Sequence, residues 1–185
     1  VLREQEGQVR FNRMTLAGAI GLAVVIGMWK STDSSGTSPV VQKAKSDQTI
    51  LVTDDDPAMA KAFAQGRATL PDFIQLMSRR PIGTSGFAVK IGVKTPTSTE
   101  YIWLNAPQIS DTSLTGVVAN TPEDTKEIAK GQTVTYPRSA IVDWTYRDFD
   151  RMRGNFTACA LLTHEAPADR DDFIKHYKLD CSTIL

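Results

Sequence analysis

The sequence predicts an α+β fold: an N-terminal helical pair packed on an antiparallel sheet of about five strands, with a C-terminal helix. Three observations point there. Before residue 80, apolar residues recur at helical spacing, as Met59 and Phe63 do and then Phe73, Ile74, Leu76 and Met77. From Phe87 the period changes to two, with Val89, Ile91 and Val93 alternating with Lys90, Gly92 and Lys94. The strand-like segments then follow one another as a meander, after the helices rather than alternating with them.

The chain divides into an apolar leader (1–30), a linker (31–50) and one domain (51–185). Met14 to Trp29 is an uncharged run, preceded by Arg10 and Arg13 and followed by Lys30. A basic flank before an apolar stretch is the pattern of an export signal. As a helix the run reaches about 24 Å at the usual rise per residue. That is short of the roughly 30 Å hydrocarbon core, so a retained anchor needs snorkelling flanks. Trp29 and Lys30 suit a membrane–water interface, and the basic excess before the run places the following domain outside. The sequence Ser31 to Ser38 is polar and flexible by composition, and order is expected to begin near Ile50–Val52.

The domain opens at Asp54-Asp55-Asp56-Pro57, where an aspartate can cap a helix and proline fits its first turn. Thr69-Leu70-Pro71-Asp72 reads as a restart, which makes the first two helices separate, and Arg79-Arg80-Pro81 ends the second. Strands follow at 87–93, 101–104 and 114–119. Thr121-Pro122-Glu123-Asp124 predicts a short helix ending before Gly131. Strand segments return at 132–136, 140–146 and, after a turn at Gly154, 155–162. A C-terminal helix is expected over 169–179, with Phe173 and Tyr177 four apart on one face.

Composition narrows the function. The 21 basic and 21 acidic residues cancel, so the field expected of a nucleic-acid binder is missing. Two histidines and two cysteines are too few for a zinc finger or ribbon. No phosphate loop, HExxH or CxxC motif occurs, and neither cofactor nor metal is expected. Asp54–Asp56 lacks the spaced ligands of a calcium loop and reads as a helix cap.

Asp-Asp-Pro (55–57), Ala-Thr-Leu-Pro-x-Phe (68–73), Phe-Ala-Val-Lys (87–90) and Ile-Trp-Leu-Asn (102–105) follow in order. Gly116, Asn120, Pro122, Gly131-Gln132, Asp143-Trp144-x-Tyr146 and Gly154-Asn155-Phe156-Thr157 continue the series. Over about residues 52–163 this order resembles the YegJ-like family of bacterial domains. The family is a domain of unknown function, so the resemblance implies a fold and boundaries and supplies no reaction.

One constellation and one pair stand out. Trp103, Asn105, Asn120, Asp143, Trp144, Tyr146 and Asn155 could form a groove with an aromatic floor and amide hydrogen-bonders at its rim. The same residues also suit core packing and turn capping. Cys159 and Cys181 lie 22 residues apart and would pair in an oxidising compartment, pinning the C-terminal helix onto the sheet. Asp143 could serve a hydrolase only with a second titrating group; Glu100, Asp111 and Asp148 are available. His164 and His176 lack an evident nucleophile beside them, Cys159 being read as part of a strand core.

The reading these features favour is an exported, non-catalytic protein-binding domain, periplasmic or held at the inner membrane by residues 14–29 if the leader is uncleaved. Its partner would be an unidentified protein of the cell envelope, as for an immunity-like protein, and not a nucleic acid. The alternatives are small-ligand or glycan binding in the aromatic–amide groove, and a hydrolase using Asp143.

Overall fold

The computed structural model describes residues 56–96 and 98–185. The leader, the linker, the onset of order near Ile50 and the Asp54-Asp55 pair lie outside the described residues. Among the described residues there are three α-helices and six strands. In chain order they are α1 (Pro57–Arg79), β1 (Thr84–Lys94), β2 (Thr99–Ile109), β3 (Ser113–Val118), β4 (Thr133–Pro137), β5 (Ile141–Asp148), β6 (Arg151–Gly154), α2 (Phe156–Leu161) and α3 (Pro167–Tyr177). The strands form one antiparallel sheet in the order β4-β3-β2-β1-β5-β6.

The expected helical pair is one helix. Asp56 caps α1 by accepting the Met59 amide at 2.9 Å, and Pro57 occupies its first turn. Pro71 lies inside the helix without ending it. Proline in a helix interior costs about 3 kcal/mol. The continuous face of Met59, Ala62, Phe63, Gly66, Leu70 and Phe73, buried on both sides of Pro71, offsets that cost. Arg80 ends α1 in the left-handed conformation, its amide returning to the Leu76 carbonyl at 3.0 Å.

Gly66 allows α1 to approach β5 closely. A Cβ there would lie 2.4 Å from the Val142 carbonyl oxygen, so a side chain would force the helix off the strand. The core beneath is formed by Val89, Ile91, Ile102, Leu104, Leu114 and Ile141, all at most 1% exposed.

Two further expectations are overturned. Residues 155–162 form helix α2 and a following 3₁₀ turn, not a strand. Phe156, Cys159 and Ala160 lie at helical spacing within a short apolar run, and such runs do not distinguish helix from strand. The backbone breaks at Gly154 (φ 72°) and Asn155 (φ 56°), both left-handed, and the chain leaves β6 there. The short helix expected after Thr121 is an irregular loop. Buried Glu100 on β2 holds that loop, accepting the Glu123 amide at 2.6 Å and the Thr125 amide at 2.8 Å. Strand β6, in a stretch where the sequence suggested only a turn at Gly154, brings the sheet to six. The C-terminal helix forms, starting at Pro167.

Candidate functional site

Cross-strand register places Trp103 of β2 opposite Lys90 of β1, and Lys90 opposite Asp143 of β5. Paired residues share a face of the sheet, so the three form one row across three strands. The Lys90 ammonium lies 4.7 Å from the centre of the Trp103 ring and donates to the Thr157 hydroxyl at 2.7 Å. That hydroxyl in turn donates to Asp143 Oδ2 at 2.7 Å, forming a chain from lysine through threonine to carboxylate. Lys90 and Thr157 had no part in the groove read from sequence. The alternation of β1 and the resemblance both contain Lys90, but only the register puts it beside Asp143.

Asp143 is fully buried and its oxygens are occupied. Oδ1 accepts the amides of Trp144 (2.8 Å) and Phe156 (3.3 Å), and Oδ2 accepts the Thr157 amide (2.8 Å) in addition to the hydroxyl. Burial pushes the Asp143 carboxyl up; the Lys90 charge and the Thr157 and Trp144 donors pull it back. Burial pushes Lys90 the opposite way, down to about 8, against the attraction of Asp143. Glu100 lies below the ordinary carboxylate range. Burial opposes that shift, and the backbone amides donated by Glu123 and Thr125 outweigh it. Asp143 and Glu100 thus each hold backbone.

The seven groove candidates do not converge. Asn120 accepts the Trp103 amide at 2.8 Å and ties the end of β3 to β2. Asn105 pairs with Val117 beside a bulge at Ala106, which has φ 46°. Asn155 is buried, its amide nitrogen against Met152 Sδ at 3.3 Å. Trp144 and Tyr146 stack in a cluster with Phe73 and Phe87 instead. The Trp144 indole donates to Thr69 Oγ1 at 3.1 Å.

Trp144 and Tyr146 line an open cleft of about 370 Å³ between α1, the β5–β6 hairpin and the C-terminal tail. Phe73 and Leu76 extend its apolar wall, and Asp72, Asp148, Arg153 and Asp180 set charges on its rim. Arg153 bridges Asp148 (3.1 Å) and Asp180 (3.0 Å) across the opening. The tail that supplies Asp180 is held by a disulfide between Cys159 and Cys181, with Cα atoms 5.4 Å apart. Because Cys159 lies in α2, the bridge pins the tail to that helix and not to the sheet. His164 is also outside the cleft, paired with Asp56 at the start of α1. Among the described residues, no three His, Cys, Asp or Glu side chains gather as metal ligands. No helix among the described residues is long and apolar enough to cross a membrane.

A small α+β domain with Asp143 and Glu100 committed to backbone and an open cleft beside its aromatic cluster is the class of protein the fold defines. The chain belongs to the family described as "Uncharacterized protein conserved in bacteria (DUF2314)", whose model matches residues 56–181. The match runs past the resemblance read from sequence, through α3 to Cys181. The chain is also similar to the uncharacterized protein YegJ of Escherichia coli (strain K12), 29% identical over 118 residues, covering 64% of this chain and 76% of the relative. No solved structure matches it.

Proposed function

We propose that this chain is a non-catalytic binding domain of the bacterial cell envelope that receives an extended segment of a partner protein in the cleft lined by Phe73, Trp144 and Tyr146. The observation that carries the reading is the division of labour among its acids. Asp143 and Glu100 are buried and occupied by backbone donors, as anchors of the fold are. Three further acids, Asp72, Asp148 and Asp180, instead rim a cleft with an aromatic wall. Apolar walls with a few charged groups at the edge suit binding of a peptide segment. The Cys159–Cys181 bridge supports an oxidising setting, the periplasm, reached behind the apolar run 14–29 and with or without release from the inner membrane.

The stacked Trp144 and Tyr146 rings beside Asp72 and Asp180 also favour a second reading, a glycan laid against the aromatic wall. One experiment separates the two. The full chain carrying a photo-crosslinker at Asp72 is expressed in a bacterial envelope, and binding of cell-wall oligosaccharides to purified protein is measured in parallel. The expected result is one crosslinked protein, lost in Tyr146→Ala, with no saturable oligosaccharide binding. Saturable oligosaccharide binding without a crosslinked protein would replace the first reading by the second.

A further inference from the structure

The end of the molecule where α1 gives way to β1 and β5 turns into β6 carries two apolar side chains in full view. Ile82 is 95% exposed and Phe149 is 73% exposed. The fold brings them together: the Phe149 amide donates to the Gly83 carbonyl at 2.8 Å, and the Phe149 ring lies so close over Gly83 that a Cβ there would sit 2.6 Å from it. Phe149 has φ 52°, a conformation unusual for a bulky residue at a turn, where asparagine, aspartate or glycine is the ordinary choice. The tip therefore departs from normal turn chemistry and leaves an aromatic ring in water.

Cations outnumber acids around the tip, where Asp148 and Asp150 adjoin Phe149. Arg79 and Arg80 end α1 just before Ile82, while Arg147 and Arg151 flank Phe149 on the hairpin. None of the four forms a salt bridge within 4.0 Å among the described residues, although Arg151 attracts the Asp150 carboxylate and Arg147 donates to the Asp150 carbonyl at 3.1 Å. The local acids are engaged elsewhere, Asp148 by Arg153 and Asp150 by Lys178. In a chain of zero net charge the tip thus carries a local basic excess.

We propose that the Ile82–Phe149 tip is a docking site for an anionic phospholipid surface, with Arg79, Arg80, Arg147 and Arg151 reaching lipid phosphates while the two apolar side chains enter the headgroup boundary. Convex apolar tips ringed by cations match the chemistry of interfacial attachment, and guanidinium groups pair with phosphate in bidentate fashion. Each basic residue near such a surface strengthens binding roughly fivefold. The site is separate from the partner cleft and does not depend on how that cleft is used.

The test uses Phe149→Trp in the full chain, with phosphatidylcholine vesicles carrying brominated acyl chains, either pure or containing one part in three of phosphatidylglycerol. Fluorescence quenching is compared with that of the unsubstituted chain. The latter reports Trp29 in the apolar leader as well as Trp103 and Trp144, so leader insertion is subtracted. Excess quenching on the phosphatidylglycerol vesicles alone is the expected result. Adding Arg79→Glu and Arg151→Glu should then raise the lipid concentration for half-maximal excess quenching at least about twentyfold. The proposal is overturned by equal quenching of the two chains on anionic vesicles, or by excess quenching that is the same on both vesicle types. Near-ultraviolet circular dichroism confirms that each variant keeps the packed aromatic cluster.

Discussion

Thr157 is bound twice by Asp143: its amide at 2.8 Å and its hydroxyl at 2.7 Å both donate to Oδ2. Because Thr157 lies in the first turn of α2 and Asp143 in the middle of β5, a strand carboxylate supplies the cap that the helix lacks locally. The N-cap residue of α2, Asn155, makes no side-chain cap of its own. Helix N-termini leave unsatisfied amides, and an anion placed there both accepts them and complements the helix dipole. Lys90, bonded to the same hydroxyl, balances the buried charge.

Removing the carboxylate should therefore unseat α2 as well as empty a site in the core. Asp143→Ala is expected to lower stability by about 3–5 kcal/mol, the usual loss when one member of a buried charged network is deleted. Urea unfolding followed by far-ultraviolet circular dichroism measures it. A loss below about 1 kcal/mol would mean that the network does not hold the helix.

The lysine gives stability a definite pH dependence. With its folded pKa down at about 8, Lys90 has released its proton in the folded state while the unfolded chain still holds one. Between about 8 and the ordinary lysine value near 10.4, the unfolded state therefore binds more protons, and this contribution raises stability as pH rises. Burial pushes Tyr136, Tyr146 and Tyr177 up; their contribution falls away above the ordinary tyrosine value near 10, so the comparison is made below it. The difference in urea midpoint between the unsubstituted chain and Lys90→Met should widen from pH 7.5 to 9.5 in favour of the former. A constant difference would contradict the shift.

Gly66→Ala tests the contact between α1 and β5. In an exposed helix the change would gain about 1 kcal/mol. Here the new methyl meets the Val142 carbonyl oxygen at 2.4 Å, and overpacking against backbone costs roughly 1–3 kcal/mol. A net loss of thermal stability is expected, with Trp144 fluorescence altered because the helix moves off the aromatic cluster.

Reduction of the Cys159–Cys181 bridge reads out the tail. Freeing a closed loop of 22 residues removes about 3 kcal/mol of stabilisation by the chain-entropy model. Cys159→Ser with Cys181→Ser should match the reduced protein in stability. It should also loosen the Asp180 side of the cleft, seen as faster amide exchange over residues 178–185.

How much of this was legible in the linear chain differs element by element. The Phe87–Val93 alternation, the Asp56-Pro57 start of α1 and the C-terminal helix follow from local pattern alone, because period and capping are local physics. Pro71 misled, since its penalty is visible in the sequence while the buried stripe that outweighs it exists only once the sheet is present. The aromatic–amide set was chosen by residue type, and the fold divided it. Trp103 and Asp143 share a row with Lys90, Trp144 and Tyr146 line the cleft, and Asn120 caps a neighbouring backbone amide.

By itself the sequence determined the α+β class, the family, most strand positions and the two cysteines available to pair. The tertiary structure alone decided that residues 156–161 are helical, that α1 runs unbroken and that Lys90 meets Asp143. The reason is one of range. Period, turn residues and N-caps act within a few residues of themselves, whereas the carboxylate of Asp143 stabilises a helix that begins 13 residues further along the chain, with its charge balanced by a lysine 53 residues before it.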